Sequence, residues 1–332
     1  MKTIDITTSK NLVHSYISNY MDVLTDITQT IRLKGGVDFR CEFSAPWGLE
    51  MQSGPVARFH IIVHGNCWLK LAGRPEWIQL HAGDLVVLLS GTGHCLVDAP
   101  GSNVVSAESV PHPDTPGDFV SVISGGGGLP ATVLCGHFEF DREQDNYLLR
   151  SLPTLIHLRG TDTYEFEWLQ TVHRFIADET LRARSGAVAV IQRLVEVLFI
   201  QMLRTYIAKS GPEAGILGAI ADKQVGAALN QIHRAPERPW TVETLATEAC
   251  MSRAAFATRF REMVGQSPMQ YVTHRRLYKA AELLVRTQLN IAAIAERVGY
   301  ESEPALSKAF KRIFGCGPGA YRRDRREGQA QT

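Results

Sequence analysis

The sequence predicts an α+β protein of two domains, an N-terminal antiparallel β-barrel with added helices and a C-terminal all-α domain. Three observations predict this fold class. The chain has 332 residues, which exceeds one ordinary domain and suits two that each bury a core. Short alternating segments within residues 38–98 give way to helical periodicity after residue 211. Finally, Phe, Gly, Pro and Tyr recur fifty positions apart, as at Phe260 and Phe310.

Composition limits the class of protein. The chain is 45% apolar and 21% charged, as soluble proteins are, and it has no apolar run of about 18 residues to span a bilayer. Its first residues lack the apolar core of a signal peptide, so we expect a cytoplasmic protein without membrane insertion. Six cysteines without a close pairing pattern favour reduced thiols over a disulfide framework.

Charge is distributed unevenly between the two predicted domains. From Gly211 onward there are 18 Lys and Arg against 12 Asp and Glu, whereas residues 1–210 carry 17 against 22. A basic C-terminal third favours a polyanionic partner for that domain alone. A solvated surface of excess charge is the alternative interpretation of this count.

Strand-like segments follow one another in the N-terminal part. Their spacing between turn signals suits an antiparallel sandwich or barrel. A mobile loop rich in Gly, Pro and Ser, including Ser124–Gly128, is predicted from Ala99 to Pro130, and one more strand follows it. The predicted strands lie at residues 39–43, 57–63, 67–73, 77–80, 83–89, 94–97 and 131–140.

Two helical patterns come next, at Tyr164–Asp178 and Ala187–Ala208. The second has more apolar residues than one core-facing stripe needs, so part of it is expected to face a second subunit. The stretch Lys209–Gly215 has the composition of a domain boundary. The predicted domains are therefore 1–162 for effector sensing, 163–210 as a helical linker or dimerisation segment, and 211–332.

The C-terminal domain contains two predicted helix-turn-helix units, at 241–264 and 290–314. In the first, Thr241 caps a two-turn helix, a tight turn follows at Ala249–Met251, and Ser252 caps a second helix. In the second unit, Asn290 and Ser302 take the places of the two caps. The turn of the second unit is one residue longer.

In each unit the second helix has one apolar face, marked by Phe256 and Phe260 or by Leu306 and Phe310. The opposite face is free to enter a major groove of double-stranded DNA. Residues early and central in each helix are candidates for base contacts, and two residues further along are candidates for phosphate contacts. The base candidates are Arg253, Thr258, Glu303, Ser307 and Lys308, and the phosphate candidates are Arg261 and Lys311.

An amphipathic helix at Ser267–Thr287 is predicted between the two units. It is long enough to act as a rigid spacer. Such a spacer would hold the second helices of the two units, here called the reading helices, about one DNA turn apart. Pro268 lies in its first turn, where a missing N–H costs nothing. The predicted partner is thus double-stranded DNA, contacted in two adjacent major grooves.

The segments Gly265–Arg275 and Gly299–Arg323 resemble the signatures of the AraC/XylS family of bacterial transcription regulators, over about Asp222–Arg323. The chain departs from the family at Leu306, where Phe is usual, and at Pro304, early in the second reading helix. The resemblance implies a sequence-specific, DNA-binding transcription regulator without catalytic activity. The alternatives are a cupin-type oxygenase or isomerase with an attached DNA-binding domain, and a non-specific nucleic-acid coat protein.

The N-terminal segments Phe59–Gly73 and Gly83–Leu96 resemble the cupin barrel of AraC-like regulators. Relatives with a catalytic metal present two His, a Glu and a later His, and here only His94 is in place, with Arg58 where the Glu is expected. The resemblance implies a small effector in the barrel, and inward-pointing Arg58, His60 and His94 are the polar candidates to bind it. RNA polymerase and a second copy of the chain are further predicted partners.

Another constellation favours a structural metal site. Two imidazoles and two thiolates suit tetrahedral Zn²⁺, for which His60, Cys67, His94 and Cys135 are the candidate ligands. The alternative is that the cysteines are small core residues and the histidines are satisfied locally.

Overall fold

The structure is a computed structural model, and it describes residues 22–30, 33–109, 120–140, 152–161, 167–182, 184–209, 211 and 215–330. The chain divides into two compact units. One unit is residues 31–209, and the other combines residues 1–30 with residues 210–332. This confirms the predicted two-domain α+β class.

The unit of residues 31–209 is built on eleven described strands and two helices. The strands are β1 (Lys34–Ser44), β2 (Gly48–Met51), β3 (Ala57–His64), β4 (Asn66–Leu71), β5 (Trp77–His81), β6 (Leu85–Leu88), β7 (His94–Val97), β8 (Val105–Ser106), β9 (Val120–Gly125), β10 (Pro130–Glu139) and β11 (Leu155–Leu158), with a 3₁₀ turn at Ala107–Ser109. The helices are α2 (Glu167–Arg182) and α3 (Ala187–Lys209).

The strands form two sheets, so of the two predicted arrangements, a sandwich or a barrel, the structure has the sandwich. One sheet has the order β11-β6-β3-β10-β1-β9 and the other β5-β4-β7-β2-β8. Most pairs are antiparallel, as predicted, but β9 pairs parallel to β1 and β8 pairs parallel to β2. Side chains of both inner faces fill one core, which includes Cys41, Ile62, Leu69, Val86 and Leu96.

The predicted loop between Ala99 and Pro130 contains two strands, β8 and β9; its residues 110–119 lie outside the described part. The glycine-rich stretch after β9 is tied to the end of β1 by backbone hydrogen bonds, including Gly126 N–H to Ser44 O at 3.0 Å and Gly128 N–H to Ala45 O at 2.8 Å. Gly125 has φ +139°, and a Cβ there would meet the Ser44 carbonyl oxygen. Glycine is therefore required by close packing at this turn.

Helices α2 and α3 belong to the same compact unit as the sheets, where the sequence predicted a separate segment at 163–210. Aromatic packing explains the difference, because Phe199 of α3 lies edge-on to Phe138 of β10, with ring centroids 5.1 Å apart. The predicted start of α2 at Tyr164 and most of the boundary stretch lie outside the described residues. Among the described helices, none is long and apolar enough to cross a membrane.

In the other unit, all regular secondary structure among the described residues is helical. Its helices are α1 (Val23–Thr30), α4 (Ile216–Ala221), α5 (Val225–Arg234), α6 (Val242–Glu248), α7 (Arg253–Val264), α8 (Pro268–Arg286), α9 (Ile291–Arg297), α10 (Glu303–Phe314) and α11 (Pro318–Ala330). Helix α1 was not predicted, and it precedes the sheets in sequence yet groups with the C-terminal helices. The sequence analysis placed residues 1–162 in one domain, whereas residues 1–30 fall in the helical unit. There α1 packs against α5.

Candidate nucleic-acid interface and buried polar site

The first helix-turn-helix consists of α6 and α7. Thr241 and Thr244 form a reciprocal capping box at the start of α6, and the Ser252 hydroxyl accepts the Ala255 N–H at 3.3 Å at the start of α7. Gly265 ends α7 in the left-handed conformation, with φ 78°. These caps satisfy backbone groups that a short helix otherwise leaves unpaired, which fixes where each helix begins and ends.

The second helix-turn-helix, α9 and α10, repeats this frame. The Asn290 side chain accepts the Ala293 N–H at 2.7 Å, and the Ser302 hydroxyl accepts the Ala305 N–H at 3.4 Å. Gly315 ends α10 with φ 77°. Pro304 lies in the first turn of α10, where the helix tolerates it.

The apolar faces of α7 and α10 are buried as predicted. Phe256 and Phe260 of α7, and Leu306 and Phe310 of α10, have no exposed surface. The opposite faces carry all seven predicted DNA contacts. Of these, Arg253, Thr258, Arg261, Glu303, Lys308 and Lys311 are exposed, and Ser307 is half-buried.

Arg253 has a partner in the free protein, since its Nε lies 2.7 Å from an Oε of Glu243 on α6. The side chains are 70% and 56% exposed, so this ion pair contributes little to stability. The sequence analysis did not identify Glu243, although its place in the first turn of α6, near the N-terminus of α7, is a signal that could have found it.

Helix α8 joins the two units and is fixed at both ends. Ser267 and Gln270 form a capping box at its start, and Thr287 caps its end, so the helix has the predicted bounds. Its 19 residues give a length of about 28 Å. The Arg276 side chain donates to the carbonyls of Pro236 and Arg238 at 2.8 and 2.7 Å, which locks α8 to the segment that precedes α6.

The second candidate site is a chain of buried polar groups in the sandwich. His60 Nε2 lies 2.7 Å from His94 Nε2, and His60 Nδ1 lies 3.1 Å from Cys135 Sγ. His94 Nδ1 lies 2.9 Å from the Thr92 carbonyl oxygen, so Nδ1 of His94 carries the proton and donates. It follows that His60 Nε2–H donates to His94 and the Cys135 thiol donates to His60 Nδ1.

Burial keeps these groups neutral. Burial, with the neighbouring His94 and Arg58, holds the pKa of His60 well below its ordinary value, and burial lowers the pKa of His94 to about 4. The hydrogen bond with Cys41, together with burial, raises the pKa of the Cys135 thiol well above its ordinary value. Burial raises the pKa of Cys67 to about 12. His60, His94 and Cys135 therefore form a chain of hydrogen bonds between neutral groups.

The four predicted zinc ligands do not converge on one point. His94 and Cys135 contact opposite ring nitrogens of His60, so a single ion that binds one nitrogen of His60 cannot reach both. Within the described ranges, no group of three or more His, Cys, Asp or Glu side chains is arranged to hold a metal ion. The side chains as placed therefore give no support to a four-coordinate zinc site.

Arg58 lies one inward-facing position before His60 on β3, and its register partner on β10 is His137. Its Nε is buried and has no hydrogen-bond partner among the described residues. Sequence reasoning missed Cys41, which is fully buried and whose thiol is hydrogen-bonded to the thiol of Cys135. Its signal was the alternation of Phe39, Cys41 and Phe43 along β1.

Known protein families match the N-terminal and the C-terminal parts of the chain separately. The chain matches the Cupin family over residues 22–208 and the helix-turn-helix domain family over residues 245–324. It is 33% identical over 307 residues to the HTH-type transcriptional regulator AlkR of Acinetobacter baylyi, covering 91% of this chain and 99% of the relative. It is 31% identical over 305 residues to the RCS-specific HTH-type transcriptional activator RclR of Escherichia coli, covering 91% and 97%.

A putative AraC-like transcription regulator of Streptomyces lividans is 31% identical over 305 residues, covering 91% of this chain and 98% of the relative. Among solved structures, the DNA-binding domain of AdpA in complex with a target DNA aligns at 33% identity with a TM-score of 0.32. That alignment covers 33% of this chain and 99% of the other.

A cupin unit joined to paired helix-turn-helix units defines a DNA-binding transcription regulator, and full-length similarity extends that assignment to the whole chain. Within this class, the chain belongs to the AraC family of HTH-type transcriptional regulators.

Proposed function

We propose that this regulator reads its operator with α7 and α10 in two adjacent major grooves, and that a small effector held by the N-terminal unit controls this binding. DNA reading by α7 and α10 is supported by the features that the two helix-turn-helix units share. Each reading helix has a serine N-cap, two buried apolar anchors four residues apart and a left-handed glycine at its end. Two equal frames at the ends of one capped helix suit two equal contacts on one duplex.

The exposed faces give the two kinds of contact different tasks. Arg253, Thr258, Glu303, Ser307 and Lys308 lie in the first half of their helices and are assigned to base edges. Arg261 and Lys311 lie further along and are assigned to phosphates, where they contribute affinity and salt dependence. A good bidentate base contact is worth about 1–3 kcal/mol of discrimination.

Selection of bound duplexes from a random pool tests this proposal. We expect a motif with two half-sites separated by about 10 base pairs, because successive major grooves on one face recur at that interval. Each half-site is then assigned by its loss of base preference in Arg253→Ala or Lys308→Ala. A motif with one half-site, or a pool without sequence preference, contradicts the proposal.

The effector is assigned to the polar cluster of Arg58, His60 and His94. The cluster is supported by its burial, since its histidines are only 1% and 3% exposed. The buried Arg58 Nε has no partner among the described residues. An effector with an acceptor oxygen would satisfy that donor, which is otherwise costly to bury.

A thermal-shift screen of small acids and neutral metabolites identifies such an effector. In Arg58→Gln we expect the shift and the effector-dependent change in DNA affinity to disappear while DNA binding without effector persists. Arg40→Gln is the matched control, because Arg40 lies on β1 of the same sheet and already has a partner, Glu42 of the same strand, at 3.1 Å. An effector response that survives Arg58→Gln contradicts this assignment.

Zinc at His60, Cys67, His94 and Cys135 stays a prediction, although the arrangement of the ring nitrogens disfavours it. Elemental analysis of the purified chain decides the matter. Stoichiometric zinc that is lost in Cys67→Ala and Cys135→Ala would support the metal, and a folded zinc-free chain would remove it.

A second copy of the chain is assigned to the outer face of α2 and α3. Val190 and Val197, seven residues apart on α3, are 44% and 42% exposed, and Phe175 of α2 is 60% exposed. Burial of these side chains in a dimer would remove apolar surface from water. Sedimentation of Val197→Glu tests this assignment, with a dimer expected only for the unchanged chain. RNA polymerase remains a predicted partner, tested by activated transcription in vitro.

A further inference from the structure

A buried ionic network connects α1 to the helices of the DNA-binding unit. Asp26 of α1 is 3% exposed, and one of its carboxylate oxygens accepts the His233 Nδ1–H at 2.6 Å. Its other oxygen pairs with the guanidinium of Arg275. His233 Nε2 in turn lies 2.7 Å from the Tyr271 hydroxyl. These partners are 207 to 249 residues from Asp26 along the chain.

We propose that Asp26 is a positioning residue for DNA reading: its carboxylate, supplied from the segment before the cupin strands, completes the first helix-turn-helix unit by neutralising Arg275. The inference rests on DNA reading by both helices and not on effector control. Asp26 and His233 both lie outside the matched helix-turn-helix segment, residues 245–324.

The need for a counter-ion comes from the burial of Arg275. This side chain lies within α8 and is only 6% exposed. Among the described residues, Asp26 is the one carboxylate that forms an ion pair with it. A buried guanidinium left without its partner is strongly destabilising, whereas removal of both charges together is often tolerated.

Asp26 is ionised in this setting. Burial alone would raise its pKa, but the hydrogen bond from His233 and the charge of Arg275 outweigh burial, so the pKa of Asp26 lies below its ordinary value. The helix that carries it is also fixed, because the backbone N–H of Val23 donates to the Asn230 side chain at 3.0 Å and Val23 is 1% exposed. Helix α1 is thus docked by the buried Val23 side chain, by the Asn230 amide and by the bonds of Asp26 to His233 and Arg275.

The network contacts the first reading helix through Tyr271. The Tyr271 ring lies edge-on to Phe260, a buried anchor of α7, with ring centroids 5.7 Å apart. The second reading helix, α10, packs through Leu306 and Phe310 in a cluster with the C-terminal half of α8, and this cluster contains no member of the network. Loss of the Asp26 charge should therefore displace α7 while α10 keeps its support.

This asymmetry gives a test in the full-length chain. The probe is the duplex selected from the random pool, together with two derivatives in which one half-site is scrambled. In Asp26→Asn we expect the affinity contributed by the α7 half-site to fall about 5- to 150-fold, the usual range of coupling between linked sites. The contribution of the α10 half-site should stay unchanged.

Asp22→Asn is the matched control, since it removes the same charge from the same segment. Asp22 is exposed and accepts the Thr25 N–H at 2.7 Å at the start of α1, a capping role that Asn can also fill. The double variant Asp26→Asn/Arg275→Met leaves no unpaired buried charge, so it should recover much of the α7 half-site affinity. That rescue separates positioning by charge from a general need for the Asp26 side chain.

Two outcomes overturn the proposal. One is an Asp26→Asn chain with unchanged affinity for both half-sites, and the other is an equal loss at both. Should Asp26→Asn fail to fold, Asp26→Glu is tested in its place, with a smaller selective loss expected at the α7 half-site and the same two refuting outcomes. Failure of the duplex selection to yield two half-sites would instead count against the proposed mode of DNA reading.

Discussion

Acid should destabilise the sensor unit through the buried histidine pair, and His94 allows the size of the effect to be worked out. Burial lowers the pKa of His94 from 6.5 to about 4, so the unfolded chain binds a proton at a higher pH than the folded chain. Stability therefore rises with pH across this window and falls as pH drops below about 6.5. The loss is complete only below the folded pKa, near pH 4.

The expected magnitude follows from linkage. A shift from 6.5 to about 4 gives about 3.4 kcal/mol at full protonation, and about 2 kcal/mol of this is lost between pH 7.5 and pH 5. His60 adds a loss of the same sign, because its pKa is also lowered by burial. In His94→Gln the contribution of His94 disappears, so the stability of the variant should decline less steeply with acid.

Urea unfolding at pH 7.5 and pH 5, followed by tryptophan fluorescence, measures this difference, since four of the five tryptophans lie within residues 31–209. His64→Gln is the control, because His64 is exposed at the end of the same strand as His60. If the unchanged chain and His94→Gln lose equal unfolding free energy between pH 7.5 and pH 5, the inference that His94 is buried in its neutral form is refuted.

Three further predictions concern the DNA-binding unit. Lys308→Ala should change which bases are preferred, by about 1–3 kcal/mol, while Lys311→Ala should weaken all duplexes alike and flatten the salt dependence; binding to base-scanned duplexes at several salt concentrations separates the two. Phe310→Ala should cost about 3–5 kcal/mol of unfolding free energy in urea, because this fully buried ring leaves a cavity. Gly299→Ala should lower the melting temperature more than Gly315→Ala. Both glycines have a positive φ, 79° and 77°, so alanine is strained at both. Only at Gly299 would the added Cβ also meet backbone atoms, 2.6 Å from the Glu237 carbonyl oxygen.

The helix-turn-helix units were predictable nearly residue by residue because their signals are local. Ser252, Ser267, Asn290 and Ser302 each cap the helix that begins at the next residue, as their sequence context indicated. Helical periodicity then fixed which side chains are buried. The repeat of fifty residues strengthened each assignment, since two copies obey the same pattern.

The sandwich and α1 were less predictable because their contacts are distant in sequence. The parallel pairing of β9 with β1 joins residues about eighty positions apart, and no local pattern indicates it. Helix α1 is eight residues long, too short to be stable by propensity alone, and the partners of Asp26 lie more than two hundred residues away. Whether the predicted zinc ligands converge was unpredictable for a related reason, because sequence spacing does not specify which ring nitrogen of His60 faces which neighbour.

The order of segments along the chain makes the cupin unit an insertion of 179 residues, 31–209, between two parts of the helical unit. In its folded state this insert packs its first strand against its last helix, with Gly35 of β1 in contact with Val195 of α3. If the insert unfolds, α1 must return to its place across a flexible loop, at an entropic cost of about 4–5 kcal/mol for a loop of this length. Melting of the cupin unit therefore weakens α1 docking, so that the first reading helix loses support even though none of its own contacts has changed.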